Sequence, residues 1–162
     1  MTISVGNKLP DATLLQMGAD GAEAVALGAK LQGRNVVIFG LPGAYTGTCT
    51  TSHVPSFMRV AAKLKAKGVD EIICVSVNDP FVMKAWGDST GAAATGITFL
   101  GDGDASFTKA IGMAFSVPNL AFYDRSKRYA LYAVDGVVKV LNQGQETNAC
   151  EISGGEAMLD AI

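Results

Sequence analysis

The sequence predicts an α/β fold with a mixed central sheet and helices on both faces of that sheet. Apolar, β-branched runs at residues 36–39 and 71–78 alternate with helical patterns at residues 55–67 and 81–86, which indicates parallel strands joined by crossover helices. Residues 129–141 then form two alternating runs of the kind found in an antiparallel hairpin. Parallel and antiparallel strands in one chain predict a mixed sheet.

Length and composition restrict the classes of protein to consider. The 162 residues, 49% of them hydrophobic and 17% charged, predict one globular domain over residues 1–162. The net charge of -2 and the lack of a Lys/Arg run argue against a nucleic-acid interface or a polybasic membrane surface. No leader pattern and no apolar run of about 20 residues is present, so we expect a cytoplasmic protein whose partners are small molecules or proteins.

The first part of the chain predicts an N-terminal hairpin extension at the edge of the sheet. Residues 5–15 form an irregular lead into a short strand, and the GADG sequence at residues 18–21 is typical of a turn. Residues 24–33 are ambiguous by periodicity. They precede the buried strand at residues 36–39.

The middle of the chain carries clear helix signals. Residues 55–67 place apolar and basic side chains on opposite faces of an amphipathic helix, and Gly68 predicts its end. Asp79 is suited to cap the next helix, with Pro80 at its first position. That helix is predicted over residues 81–86, ending near Gly87.

The last third completes the order of elements. A short strand is predicted at residues 97–100 and a short helix at residues 105–114. Asp135-Gly136 is the strongest short-range hairpin signal in the chain, and a terminal helix is predicted at residues 154–162. This order fits a thioredoxin-like fold.

The segment at residues 41–55, LPGAYTGTCTTSHVP, concentrates the chemistry of the chain. It places Cys49 where a strand end meets a helix start. Unpaired N–H groups and the positive end of the helix dipole favour a thiolate there, which would make the cysteine reactive. The alternative is a small buried apolar residue, because free cysteines often pack in this way.

The same segment resembles the active site of the peroxiredoxins. Residues 42–49, PGAYTGTC, match the PxxxTxxC motif of that family, and with VSVNDPFVMKAW at residues 75–86 they resemble the peroxiredoxin 5 or type II subfamily over essentially the whole chain. The resemblance implies that Cys49 is the peroxidatic cysteine, that Pro42 shields it, and that Thr46 orients the peroxide. It also implies that Arg128 faces the cysteine and that the protein forms a homodimer.

Attack on a peroxide has requirements that these residue types meet. The reaction needs a thiolate, hydrogen-bond donors for the charge that grows on the leaving oxygen, and a pocket dry enough to strengthen those donors. Arg128 stays protonated and can supply directed donors. From the residues alone, a surface charge is a better interpretation of Arg125 and Arg128 than a catalytic role. A turn-forming role explains Thr46 as well as a catalytic role does. The catalytic roles of these residues therefore depend on the resemblance.

Four other positions bear on the site. His53 lies one helical turn after Cys49, where a packing or hydrogen-bonding role is favoured over contact with the thiolate. Cys74 is expected to be buried and inert among apolar neighbours. Phe81 and Trp86 are compatible with either core packing or a dimer contact.

Two residues depart from the resemblance. Gly47 stands where the subfamily often has proline, and Ser56 where it often has glycine. Gly47 would leave the loop more flexible, which would ease exposure of an oxidised Cys49. Neither residue is a reacting group.

The sequence leaves two routes for the reduction of an oxidised Cys49. Cys150 lies near the position where some subfamily members have a resolving cysteine, whereas other members are reduced directly by glutathione, glutaredoxin or thioredoxin. No CxxC pair is present, which disfavours both a disulfide reductase and a metal site, and no cofactor is expected. The predicted function is a peroxidase acting on hydrogen peroxide and alkyl hydroperoxides, and the alternative is a redox sensor or relay.

Overall fold

The computed structural model describes residues 2–144 and 151–162, and a seven-stranded mixed sheet forms the centre of this part of the chain. In chain order its strands are β1 (Thr13–Gly18), β2 (Gly21–Ala26), β3 (Asn35–Gly40), β4 (Glu71–Ser76), β5 (Ile97–Gly101), β8 (Tyr129–Val134) and β9 (Val137–Gln143). Their order across the sheet is β2-β1-β5-β4-β3-β8-β9. The pairs β3–β4 and β4–β5 are parallel and the other pairs are antiparallel, which confirms the predicted mixed sheet.

Helices cover both faces of this sheet. They are α1 (Leu27–Leu31), α2 (Val54–Ala66), α3 (Pro80–Ser89), α4 (Ser106–Ala110) and α5 (Gly155–Ala161). Buried side chains of α2, α3 and α5 pack with Phe39 and Cys74 on one face, and those of α1 and α4 pack with Ile38 and Ile73 on the other. Successive residues along each of these two strands, β3 and β4, therefore point into different cores. This explains why both strands are apolar throughout.

The local signals at the ends of the elements are confirmed. The Asp79 side chain accepts a hydrogen bond from the backbone N–H of Val82 and caps α3. Gly68 follows α2 with a φ of 99°, and Asp135 and Gly136 join β8 to β9 with φ angles of 50° and 77°. The predicted N-terminal hairpin is the pair β1–β2 at the edge of the sheet.

The predicted helix at residues 105–114 is wrong beyond Ala110. Gly112 has a φ of 76°, which turns the chain out of the helix, and Ala114 begins a strand. That strand, β6 (Ala114–Val117), pairs with β7 (Phe122–Ser126) in a separate two-stranded sheet that the sequence did not predict. Both strands are only partly buried, so their alternation of apolar and polar residues is weak.

The start predicted for the helix at residues 55–67 is also wrong, because helical structure begins before Pro55. Residues 47 and 48 are helical, and a π-helix over Cys49–His53 leads directly into α2. The backbone N–H of Val54 donates to the carbonyl of Cys49, and Pro55, with no N–H to donate, follows at once. A π-helix is therefore a favourable way to enter α2 at this proline.

Helix α3 is longer than predicted and continues through Gly87 to Ser89. Gly87 is buried against Phe99, where an added Cβ would lie 2.8 Å from the ring, so this glycine serves close packing and does not end the helix. Within the described residues, no helix combines the length and apolar character needed to cross a membrane.

Candidate active site

Cys49 lies at the start of the π-helix and is almost completely buried, with 1% of its surface exposed. The preceding loop, residues 41–46, connects the end of β3 to this helical run. Because Cys49 is the third residue of the continuous helical run, it lies in the first turn, where backbone N–H groups lack helical partners. Cys49 therefore lies at the helix start where the sequence predicted it.

Arg128 supplies the positive charge beside the thiol. Its Nη2 lies 3.4 Å from Sγ of Cys49, and the side chain is 4% exposed. Arg128 lies in the connection between β7 and β8, and its burial contradicts the alternative of a surface charge. This position brings a buried guanidinium to the helix start from 79 residues away along the chain.

His53 is fully buried behind Arg128, and the geometry favours the hydrogen-bonding role over contact with the thiolate. Its Nδ1 lies 3.1 Å from Nη1 of Arg128, and its Nε2 lies 2.9 Å from the carbonyl oxygen of Ser153. Burial, reinforced by the nearby Arg128 charge, lowers the pKa of His53 to about 3. The imidazole is therefore neutral at physiological pH and offers no positive charge to Cys49.

Thr46 and Pro42 lie on the loop as the sequence predicted. The Thr46 hydroxyl donates a 2.7 Å hydrogen bond to the carbonyl of Gly43, which commits its proton and leaves its oxygen as an acceptor. Arg125 donates from Nη1 to the carbonyl of Pro42 at 3.1 Å. A Cβ on Gly43 would lie 2.4 Å from the same Nη1, so the glycine lets the guanidinium approach the loop.

Two contacts that the sequence did not predict fix the loop and the first turn. Asn78 accepts a 3.0 Å hydrogen bond from the Ala44 N–H through Oδ1. The buried Trp86 donates from Nε1 to Oγ1 of Thr50 at 3.1 Å, directly beside Cys49. Asn78 and Trp86 both belong to the VSVNDPFVMKAW segment, but nothing in their spacing shows that they reach the cysteine loop.

Of the two aromatic residues left open by the sequence, Trp86 is a core residue and Phe81 is 66% exposed. Trp86 packs its indole edge against Phe99 with ring centroids 5.7 Å apart. Phe81, at the start of α3, instead presents its ring to solvent in the structure of one chain. Core packing therefore accounts for Trp86 alone.

A cavity of about 320 Å³ opens beside the cysteine loop. Its polar side is formed by Thr46, Thr48 and Arg128. Four apolar residues of the β6–β7 hairpin and its turn also line the cavity and form its apolar wall: Phe115, Val117, Leu120 and Phe122. Sequence reasoning missed this wall because it missed the hairpin. The cavity can hold a small molecule with one polar and one apolar end.

Cys74 does not line this cavity. Cys74 is fully buried in β4, and burial, with a smaller contribution from the nearby Cys49 charge, raises the pKa of its thiol well above the usual range. This agrees with the inert role predicted for it. Cys150, the predicted resolving cysteine, lies outside the described residues.

Comparison with known proteins identifies the family. A model of the Redoxin family matches residues 4–159. Peroxiredoxin-2E-2, chloroplastic, from Oryza sativa subsp. japonica is 47% identical over 165 residues, covering 99% of this chain and 73% of that protein. Peroxiredoxin-2C from the same organism is 44% identical over 161 residues, covering 99% and 98%. The chain belongs to the peroxiredoxin family.

A solved peroxiredoxin structure shows the same fold. Reduced Prx3 from Vibrio vulnificus, crystallised in complex with H2O2, superposes with a TM-score of 0.93 at 43% sequence identity, and 99% of each chain is covered. The thioredoxin-like fold and the peroxiredoxin resemblance stated from the sequence are thereby confirmed. As a peroxiredoxin, the chain is a thiol-dependent peroxidase that takes a peroxide substrate and a thiol reductant.

Proposed function

We propose that Cys49 is the peroxidatic cysteine and that Arg128, Thr46 and Pro42 form the peroxide site around it. The single observation that carries this proposal is the 3.4 Å contact between Arg128 Nη2 and Cys49 Sγ, at the first turn of a helix and with both groups buried. A permanent positive charge and unpaired N–H groups favour the thiolate without a general base. His53, with both ring nitrogens engaged and a low pKa, is not needed as one.

The proposed reaction is a displacement at oxygen. The Cys49 thiolate attacks one peroxide oxygen, an S–O bond forms, the O–O bond breaks, and its electron pair leaves with the other oxygen as hydroxide or alkoxide. That oxygen then takes a proton to give water or an alcohol, and Cys49 is left as a sulfenic acid. Arg128 stabilises the leaving oxygen, and Thr46 accepts a hydrogen bond from a peroxide O–H because its own proton is held by Gly43.

Pro42 and the apolar wall are assigned to shielding and substrate preference. Pro42 is buried, and its carbonyl is fixed by Arg125, so its ring can limit access of water to the sulfur. The apolar wall of the cavity would accept the alkyl group of an organic hydroperoxide. The proposed substrates are therefore hydrogen peroxide and alkyl hydroperoxides.

Stopped-flow mixing with hydrogen peroxide tests this assignment. The Cys49→Ser protein should consume no peroxide, whereas Cys74→Ala, which removes the neighbouring buried thiol, should react at the parental rate. If Cys49→Ser reacted as fast as the parent, the assignment would be wrong. Sustained turnover with a thiol reductant separates a peroxidase from a sensor or relay, which would stop after one equivalent of peroxide.

The second half of the cycle is proposed to use an outside thiol, either glutathione with glutaredoxin or thioredoxin, with Cys150 as an optional resolving cysteine. The outside thiol condenses with the sulfenic acid, releases water and forms a mixed disulfide, which a second thiol then reduces. Mass spectrometry of protein oxidised without reductant decides between the routes. A Cys49–Cys150 disulfide would support resolution by Cys150, and a lone sulfenic acid on Cys49 would exclude it.

The homodimer and the cytoplasmic location stay predictions. A dimer is compatible with the exposed Phe81, Leu120 and Tyr123, which are more than 60% accessible in the single chain. Relatives with chloroplastic and mitochondrial names show that the location varies among these proteins. Sedimentation velocity of the reduced protein would measure the oligomeric state.

A further inference from the structure

A continuous chain of contacts leads from the segment before α5 to the sulfur of Cys49. The Ser153 carbonyl lies 2.9 Å from His53 Nε2, His53 Nδ1 lies 3.1 Å from Arg128 Nη1, and Arg128 Nη2 lies 3.4 Å from Cys49 Sγ. We infer that the Ser153 carbonyl selects the His53 tautomer and thereby positions Arg128 for reaction at Cys49. This inference rests on the proposed function and assigns positioning roles to His53 and to the segment at residues 151–155.

The partners of His53 permit only one neutral tautomer. A carbonyl oxygen can only accept, so Nε2 must carry the hydrogen that it donates to Ser153. A guanidinium can only donate, so Nδ1 must be the unprotonated nitrogen that accepts from Arg128. The other tautomer would place an N–H against the N–H of Arg128 and leave the Ser153 carbonyl facing a lone pair. Burial of all three groups raises the cost of that mismatch.

This tautomer controls the orientation of Arg128. Nη1 and Nη2 belong to one planar guanidinium, so a hydrogen bond that fixes Nη1 also limits where Nη2 points. His53 holds Nη1, and the Nη2 donor is directed at Cys49. With the other tautomer, Arg128 would keep its charge but lose its hydrogen bond to Nδ1 of His53.

The position of the Ser153 carbonyl depends on the contact between α2 and the start of α5. The Ser56 hydroxyl donates to the His53 carbonyl at 2.6 Å and accepts from the Gly155 N–H at 2.9 Å, so it joins the two segments. A Cβ on Gly155 would lie 2.3 Å from the Ser56 backbone oxygen, which is too close without movement of the backbone. Gly155→Ala therefore displaces the start of α5 without touching His53, Arg128 or Cys49.

The sole histidine of the chain makes the tautomer directly measurable. Reduced protein labelled with ¹⁵N-histidine should show one neutral imidazole, protonated at Nε2 and not at Nδ1. Gly155→Ala should give a mixture of tautomers and lower the second-order rate constant with hydrogen peroxide by about tenfold, the scale expected for one hydrogen bond to a charged group. Ala157→Gly, on the same helix, is the matched control and should change neither the tautomer nor the rate.

Two substitutions at His53 give an independent test. Glutamine can accept from Arg128 and donate to Ser153 through its amide, so His53→Gln should retain a rate within about threefold of the parent. His53→Leu has neither group and should lose about tenfold or more. Ser153→Ala keeps the carbonyl and should behave as the parent in both the spectrum and the rate.

The outcomes that overturn the inference differ from those that overturn the proposed function. A parental imidazole protonated at Nδ1, an unchanged tautomer in Gly155→Ala, or equal rates for His53→Gln and His53→Leu would each refute the positioning role. A changed tautomer at a parental rate would refute it too. Peroxide consumption by Cys49→Ser would instead refute the proposed function, whatever the imidazole spectrum shows.

Discussion

The guanidinium of Arg128 and the sulfur of Cys49 lie 3.4 Å apart, although 79 residues separate them in the chain. Both side chains are at least 96% buried, so little solvent screens the guanidinium from the sulfur. The contact joins a helix start that follows β3 to the connection that precedes β8, and these two strands are neighbours in the sheet.

Loss of Arg128 should slow the reaction with peroxide. Arg128→Ala removes a directed donor and a fixed charge beside Cys49, so we expect the second-order rate constant with hydrogen peroxide to fall about 100-fold or more. Stopped-flow kinetics measures it. Lys127→Ala, at the adjacent position, is the control for removal of a positive charge and should react at nearly the parental rate. A parental rate for Arg128→Ala in a folded protein would mean that the arginine is wrongly assigned.

Stability should depend on pH through His53. The pKa of His53 falls from about 6.5 in the unfolded chain to about 3 in the folded protein. Between these values the unfolded state binds more protons, so the free energy of unfolding decreases as pH falls below about 6.5. At pH 5 the loss from this residue is about 2 kcal/mol.

Urea unfolding at pH 7.5 and pH 5 measures this loss, and His53→Gln is the reference because it lacks the titrating group. Acidic residues contribute equally to both proteins and cancel in the comparison. The parent should lose more stability than His53→Gln between the two pH values. Equal losses would show that His53 is not held neutral by burial and Arg128.

The hydrogen bond between Trp86 and Thr50 should stabilise the turn that carries Cys49. Trp86→Phe and Thr50→Val each remove one partner of the 3.1 Å contact, and the double variant removes both. In the double variant the second change removes a group whose partner is already gone. The two single losses in the free energy of unfolding should therefore add up to about 1 kcal/mol more than the loss in the double variant. Urea denaturation of the four proteins gives this coupling energy, and additive effects would argue against the hydrogen bond.

The apolar wall of the cavity should discriminate between peroxides. Leu120→Ala removes part of the wall, so kcat/KM for cumene hydroperoxide should fall roughly fivefold while the value for hydrogen peroxide stays within about twofold. Steady-state assays with both substrates measure the ratio. Leu15→Ala, at a partly exposed leucine of β1, is the control. Equal loss with both substrates would mean that Leu120 does not contact the alkyl group.

Sequence-based prediction succeeded where a local pattern has one physical solution. Three such patterns each restrict the backbone within a few residues. They are the runs of β3 and β4 that are apolar on both faces, the Asp79 cap and the Asp135-Gly136 turn. It failed for the β6–β7 hairpin, whose short and half-buried strands carry little periodicity. The same failure hid the apolar wall of the cavity.

By itself, the sequence determined the family to which the chain belongs, because the PxxxTxxC motif at residues 42–49 is continuous in the chain and depends on residue types at fixed spacing. The same motif led us to propose Cys49 as the group that reacts. Tertiary structure decided how that group is surrounded. Arg128, His53 and Ser153 are far apart in sequence, and only packing of α5 on α2 and pairing of β8 with β3 bring them into contact. Burial then fixes the charge of His53 and gives the Arg128 contact its strength, and no local pattern reports burial by distant elements.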